Sequence, residues 1–129
     1  MLTSLDALAV ELPNCRAASL IVSWFGGDLR CGSCQLRPKV EQTLRDGQGM
    51  PWSVTGLARA DAVEIVQEDG RPISGGTPAD ASVIEAIRAM QDAGQSVTFY
   101  PFILMDQLAD NGLVDPWTGA GDQPALPWR

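Results

Sequence analysis

The residues with the most evident chemical potential sit just behind a glycine pair. Cys31-Gly32-Ser33-Cys34 is a CxxC motif. A redox pair of this kind works best at a helix N-terminus, where the dipole lowers the thiol pKa. The following Gln35-Leu36-Arg37-Pro38 is a poor opening turn, although Arg30 and Arg37 would favour a thiolate. As half of a zinc site, Cys31 and Cys34 need two more ligands. The chain has no histidine, and its only other cysteine is Cys15. About eight strand residues, ~26 Å of extended chain, separate Cys15 from the motif. Free thiols or a local disulfide are the plainer readings of the pair. The absence of histidine also removes Ser-His-Asp and Cys-His nucleophilic catalysis. Gly26-Gly27 and Gly75-Gly76 do not continue as GxGxxG or end in Gly-Lys-Ser/Thr, so neither cradles a phosphate. No cofactor is expected.

The frame that holds these residues is one domain of 129 residues, 45 % hydrophobic and 19 % charged, a globular balance. The net charge of −7 and the scattered nine Lys and Arg residues exclude nucleic acid as a direct partner. No apolar run reaches the ~20 residues that span a bilayer. Met1-Leu2-Thr3-Ser4-Leu5-Asp6 lacks the basic start and apolar core of a signal peptide, which predicts cytoplasmic synthesis. Three cysteines do not make a disulfide scaffold.

The pattern predicts a helix over 5–12, with Ser4 as N-cap and Pro13-Asn14 as its end. Ala18 to Phe25 reads as a buried strand. The region 26–76 is rich in Gly, Pro and charge and reads as one long excursion. Within it, Asp69-Gly70 allows a small hairpin between the alternating 62–67 and Arg71-Pro72-Ile73. A second helix begins after Thr77 as N-cap and Pro78 as first residue, carries Val83, Ile84, Ile87 and Met90 on one stripe, and stops at Gly94. Val97 to Met105 reads as a second buried strand, with a bulge or bend at Pro101. The segment 106–129 is irregular, and Trp52, Trp117 and Trp128 are expected to pin irregular chain onto a surface. Two lone buried strands leave edges unpaired, so the pattern implies an incomplete sheet.

The blocks Leu-Pro-Asn-Cys (12–15), Ser-Leu-Ile-Val-Ser-Trp-Phe-Gly (19–26) and Asp-Leu-Arg-Cys-Gly-Ser-Cys (28–34) resemble a known family. Gly-Gly-Thr-Pro-Ala-Asp-Ala-Ser-Val-Ile-Glu-Ala-Ile (75–87) and Phe-Tyr-Pro-Phe-Ile-Leu-Met (99–105) extend the likeness. It is similar to the host-specificity (baseplate) tail proteins of gene transfer agents and related phages, at the start of their TIM-barrel-like, glycoside-hydrolase-like domain. The resemblance implies an α/β fold: an incomplete (β/α) barrel unit over 1–129, with parallel strands and 26–76 as an elaborated first βα loop. It implies a particle tail as the location. The implied partners are other tail or baseplate proteins, the remainder of the barrel, or a cell-envelope glycan.

Barrel chemistry sits at the carboxyl ends of strands. The first strand would deliver Trp24, Asp28 and Arg30 there, and the second Met105 and Asp106. Asp28 and Asp106 are the only carboxylate pair suited to the acid and nucleophile or base of a glycosidase. Trp24 and Arg30 are the matching sugar-binding candidates, although a Trp at a strand end is more often packing. The resulting expectation is a structural tail fragment that is not catalytic alone. The alternative is the N-terminal part of a glycoside hydrolase acting on envelope polysaccharide. A thiol-redox module built on the CxxC is a third reading.

Overall fold

A computed structural model of the chain describes residues 2–128. In chain order the elements are α1 (Leu2–Glu11), β1 (Ala17–Gly26), β2 (Leu36–Arg37), β3 (Lys39–Val40), β4 (Ser53–Val54), β5 (Leu57–Ala58), a 3-10 turn (Arg59–Asp61), β6 (Val63–Glu64), β7 (Gln67–Glu68), β8 (Arg71–Pro72), α2 (Asp80–Asp92) and β9 (Ser96–Met105).

The incomplete-barrel expectation is overturned. The main sheet is mixed and three-stranded, in the order β2-β1-β9. β9 runs parallel to β1, but β2 returns antiparallel against Phe25 and Gly26. That places an opposed strand on the edge where a barrel needs a parallel neighbour. The other strands are two-residue ladders in separate sheets, β3-β6, β4-β5 and β7-β8, and with two helices the class is mixed α and β. The physical reason lies in 26–76, which turns back on itself instead of entering a covering helix. Two of its turns, Thr55-Gly56 and Asp69-Gly70, have positive φ at both residues, the geometry that closes two-residue hairpins.

Pro101 does not bend β9: its register with β1 is unbroken from Ala17↔Ser96 to Gly26↔Met105. The Ser96 and Asp106 amides both donate towards β1, to the carbonyls of Arg16 and Gly26 (2.8 and 3.0 Å). Even-numbered residues of β9 therefore face β1, and the donor that Pro101 lacks falls on the open edge, where no ladder bond is lost.

α2 packs on β9, β1 and β4. Its start differs from the sequence expectation. Ala79 is the N-cap, without a side-chain cap, and Thr77 is buried further back. The Thr77 amide donates to the Lys39 carbonyl (2.8 Å), and its hydroxyl accepts from the Lys39 amide (3.2 Å). Ser4 likewise lies inside α1 and does not cap it. The end of α2 is a Schellman closure, with Gln95 N–H donating to Met90 O (3.0 Å) and Gly94 N–H to Gln91 O (2.9 Å). Ala86 is the buried residue of the helix, while Ile84 of the expected stripe is exposed.

Two small cores form at the carboxyl end of the long strands. Val40, Trp52, Val54 and Ala79 make one, with Trp24, Leu57 and Ala62 against it. Phe25, Ile65 and Leu104 make the other, with Ile73 against it. The excursion thus supplies much of the core it was expected only to decorate. Ahead of the buried Phe25/Leu104 pair the sheet is bare: Ile21, Tyr100 and Phe102 are exposed on one face, and Phe99 and Ile103 on the other.

Candidate functional site

The candidate residues gather where β1 and β9 end. β1 ends at Gly26, and Asp28 follows, 8 % exposed. Its carboxylate accepts from Arg30 Nη2 (2.7 Å) and Nε (3.0 Å), from the Arg30 amide (2.8 Å) and from Gln123 Nε2 (2.9 Å). The Arg30 guanidinium, followed by the Arg30 amide and Gln123, holds the Asp28 carboxyl well below the usual carboxylate range. The same pairing pushes Arg30 up. Arg30, a sugar-binding candidate by sequence, is thereby committed to Asp28.

Gln123 ties the C-terminal segment to this corner. It is 2 % exposed, and its Oε1 accepts from the Leu29 amide (2.8 Å) and from Gln107 Nε2 (3.3 Å). Its Nε2 also donates to Val114 O (3.1 Å), and its amide donates to Asn111 Oδ1 (3.1 Å). Nothing in the sequence marked Gln123, because a glutamine in irregular chain carries no local signal.

Asp106 is 2 % exposed and has a different partner. Lys39 Nζ donates to both carboxylate oxygens (2.7 and 3.0 Å), and the Val66 amide lies at 3.5 Å. Lys39 was also missed by sequence, since its partner is 67 positions away. Between the two ion pairs lies an open cleft of about 280 Å³, lined by Asp28, Ser33, Gln35, Arg37 and Lys39 among others. Its charged groups are already paired: Asp28 with Arg30, Lys39 with Asp106, and Arg37 donating to the Gln35 amide oxygen.

Trp24 turns away from this cleft and packs against the Val40, Trp52, Val54 and Ala79 cluster. The other tryptophans divide. Trp52 is buried and donates to Thr77 O (2.7 Å), and Trp128 donates to Met105 O (2.9 Å). Trp117 pins nothing: it is 95 % exposed on a turn in which Asp115 Oδ1 accepts from the Trp117 and Thr118 amides (2.7 and 3.0 Å).

Cys31 and Cys34 are free thiols on a tight turn whose Ser33 and Cys34 amides both donate to Arg30 O (2.9 and 2.8 Å). The turn does not open a helix, so the thiols lack the helix dipole a redox pair would use. Among the described residues, no three His, Cys, Asp or Glu side chains converge as a metal site. Also among them, no helix is long and apolar enough to cross a membrane.

Chemically, the corner is a set of closed ion pairs. A general acid needs a carboxyl held up towards neutral pH, and Asp28 is held the opposite way. Asp106 is locked on an ammonium. No family model and no curated protein matches the sequence.

Proposed function

We propose that this chain is a structural, non-catalytic module of a phage-like tail baseplate, made in the cytoplasm and built into the particle's tail. The observation that carries the reading is the bare apolar sheet. β1 and β9 contain no charged residue, and Ile21, Phe99, Tyr100, Phe102 and Ile103 are exposed on them. Tyr100 and Phe102, neighbours on one face, stack at 6.5 Å between centroids and form an exposed aromatic patch. Monomeric soluble proteins seldom leave such a surface uncovered. In a baseplate, neighbouring tail proteins cover it. The resemblance of the five sequence blocks to baseplate tail proteins supplies the setting. The internally neutralised Asp28 and Asp106 support a non-catalytic role and argue against a glycosidase centre in this chain.

The test is location. Phage-like particles purified from cells that express the chain are labelled with an antibody against it. Label at the tail tip is expected. Particles without the chain, from cells that contain it, would refute the proposal.

One observation favours an added envelope contact. Trp117 stands exposed beside Pro116 on a turn closed by Asp115, open to stack its indole on a sugar face. Retention of the chain on purified cell-envelope glycan, lost in Trp117→Ala, is the expected outcome. Equal retention of the variant removes that contact.

A further inference from the structure

Beyond the baseplate reading, and independent of it, we propose that Cys31, Cys34 and Met105 form a binding site for a single Cu(I) ion. The sulfurs of Cys34 and Met105, from two distant stretches, come against Gly26 at the end of β1, and Cys31 lines the same cleft. A Cβ placed on Gly26 would lie 2.8 Å from Met105 Sδ and 3.0 Å from Cys34 Sγ. The absence of a side chain at Gly26 is therefore what admits both sulfurs to one spot. The cleft is about 360 Å³ in volume, with Leu29, Leu36 and Ile103 as apolar walls. The backbone turn on Arg30 O holds Cys31 and Cys34 one turn apart, with Cys31 exposed as the way in.

The donor set selects the metal. Two thiolates and a thioether are soft ligands and suit Cu(I), which is satisfied by two or three sulfurs. Zinc requires four ligands, usually with nitrogen or further thiolates. The chain has no histidine. Asp28, on the rim of the cleft, is bound by Arg30 and Gln123. Cys15 lies before the ten-residue strand Ala17–Gly26, roughly 30 Å away along the chain. The apolar walls also disfavour a doubly charged, hydrated ion. On binding, both thiols lose their protons to solvent, so two protons leave for each Cu(I) taken up and the metal keeps its oxidation state.

The experiment is an anaerobic competition of the reduced full chain for Cu(I) held by bicinchoninate, with Zn²⁺ titrated in parallel. The chain is expected to withdraw one equivalent of Cu(I), with X-ray absorption showing sulfur-only coordination, and to bind Zn²⁺ far more weakly. Cys31→Ser, at an exposed position, and Cys34→Ser each abolish uptake. Met105→Leu keeps the side-chain volume and weakens the affinity by about tenfold, a typical effect of losing one supporting group at a metal. Failure to withdraw Cu(I), uptake unchanged in Cys31→Ser, or affinity unchanged in Met105→Leu would overturn the three-sulfur site. Far-ultraviolet circular dichroism of the variants separates ligand loss from misfolding.

Discussion

Ile21, Tyr100 and Phe102 share one face of the β1/β9 pair with Phe25 and Leu104, because residues in register point to the same side. Phe25 is fully buried and Leu104 nearly so, under Ile65 and Ile73 from the excursion. A few residues towards the amino end, Ile21 is 59 %, Tyr100 50 % and Phe102 39 % exposed. Ile21, Tyr100 and Phe102 are as apolar as Phe25 and Leu104, so the difference among these five comes from what lies over them. The carboxyl end is closed by chain that doubles back after Gly26, and by Gln123 reaching from the C-terminal segment. Further towards the amino end, neither core cluster includes Ile21, Tyr100 or Phe102. One strand pair thus carries a finished half and an open half. Stability resides in the first, and the second is available for contact.

The largest effect that tests this division is at its closed end. Phe25→Ala should cost about 3–5 kcal/mol in urea unfolding, the usual penalty for emptying a fully buried aromatic site. Phe102→Ala on the same face should cost about 1 kcal/mol or less, since much of that ring already meets water. Equal losses at the two positions would break the comparison.

Next comes Lys39→Met, which leaves Asp106 buried without its counter-ion. About 3 kcal/mol should be lost, and Lys39→Met/Asp106→Leu should recover most of it, because removing both charges removes the desolvation penalty. A double variant no better than the single one would mean that the pair does more than neutralise itself.

Gln123→Ala should lose about 1–2 kcal/mol, as it leaves the partly buried Leu29 amide unpaired and removes one donor to Asp28. Hydrogen exchange at Leu29 and proteolysis within 108–128 should both speed up, while amides of α2 stay unchanged.

The smallest effect is with pH. Asp28 is held low chiefly by Arg30, and Asp46 by the Trp52 amide, so the folded chain resists protonating both. Their contribution is complete above about pH 4, the unfolded carboxylate value, and is lost as pH falls through the folded values. Asp28→Asn should flatten part of the acid limb of a stability–pH curve without altering the plateau slope above pH 5. An unchanged acid limb would show that the Arg30 contact is screened away at its exposed side.

What was legible in the residues was local. The helix ending at Gly94 and the two long apolar strands follow from periodicity and turn chemistry, signals that live within a dozen positions. The assembly was not legible. Whether β1's outer edge meets a parallel strand or the antiparallel Leu36–Arg37 is decided by chain 10 residues on, in two-residue pieces too short to leave a pattern. Pro101 misled because a missing donor harms a ladder only on the paired side, and parity is set by register rather than by residue type. At the corner, Asp28 and Arg30 were visible as neighbours, but Lys39 with Asp106 and Gln123 with Asp28 join positions 67 and 95 apart. Trp24 packs, the commoner role for a Trp at a strand end, whereas Trp117, expected to pin irregular chain, stands exposed, since a tryptophan's role depends on which neighbours reach it.

The most direct test of the open half is light scattering over a concentration series, on the chain and on Tyr100→Lys/Phe102→Lys. The bare face predicts that the unmodified chain associates as concentration rises, copies covering one another in the absence of partners. The double variant should stay monomeric with the same unfolding midpoint. An unmodified chain that remains monomeric across the series would contradict the claim that this face is built to be covered.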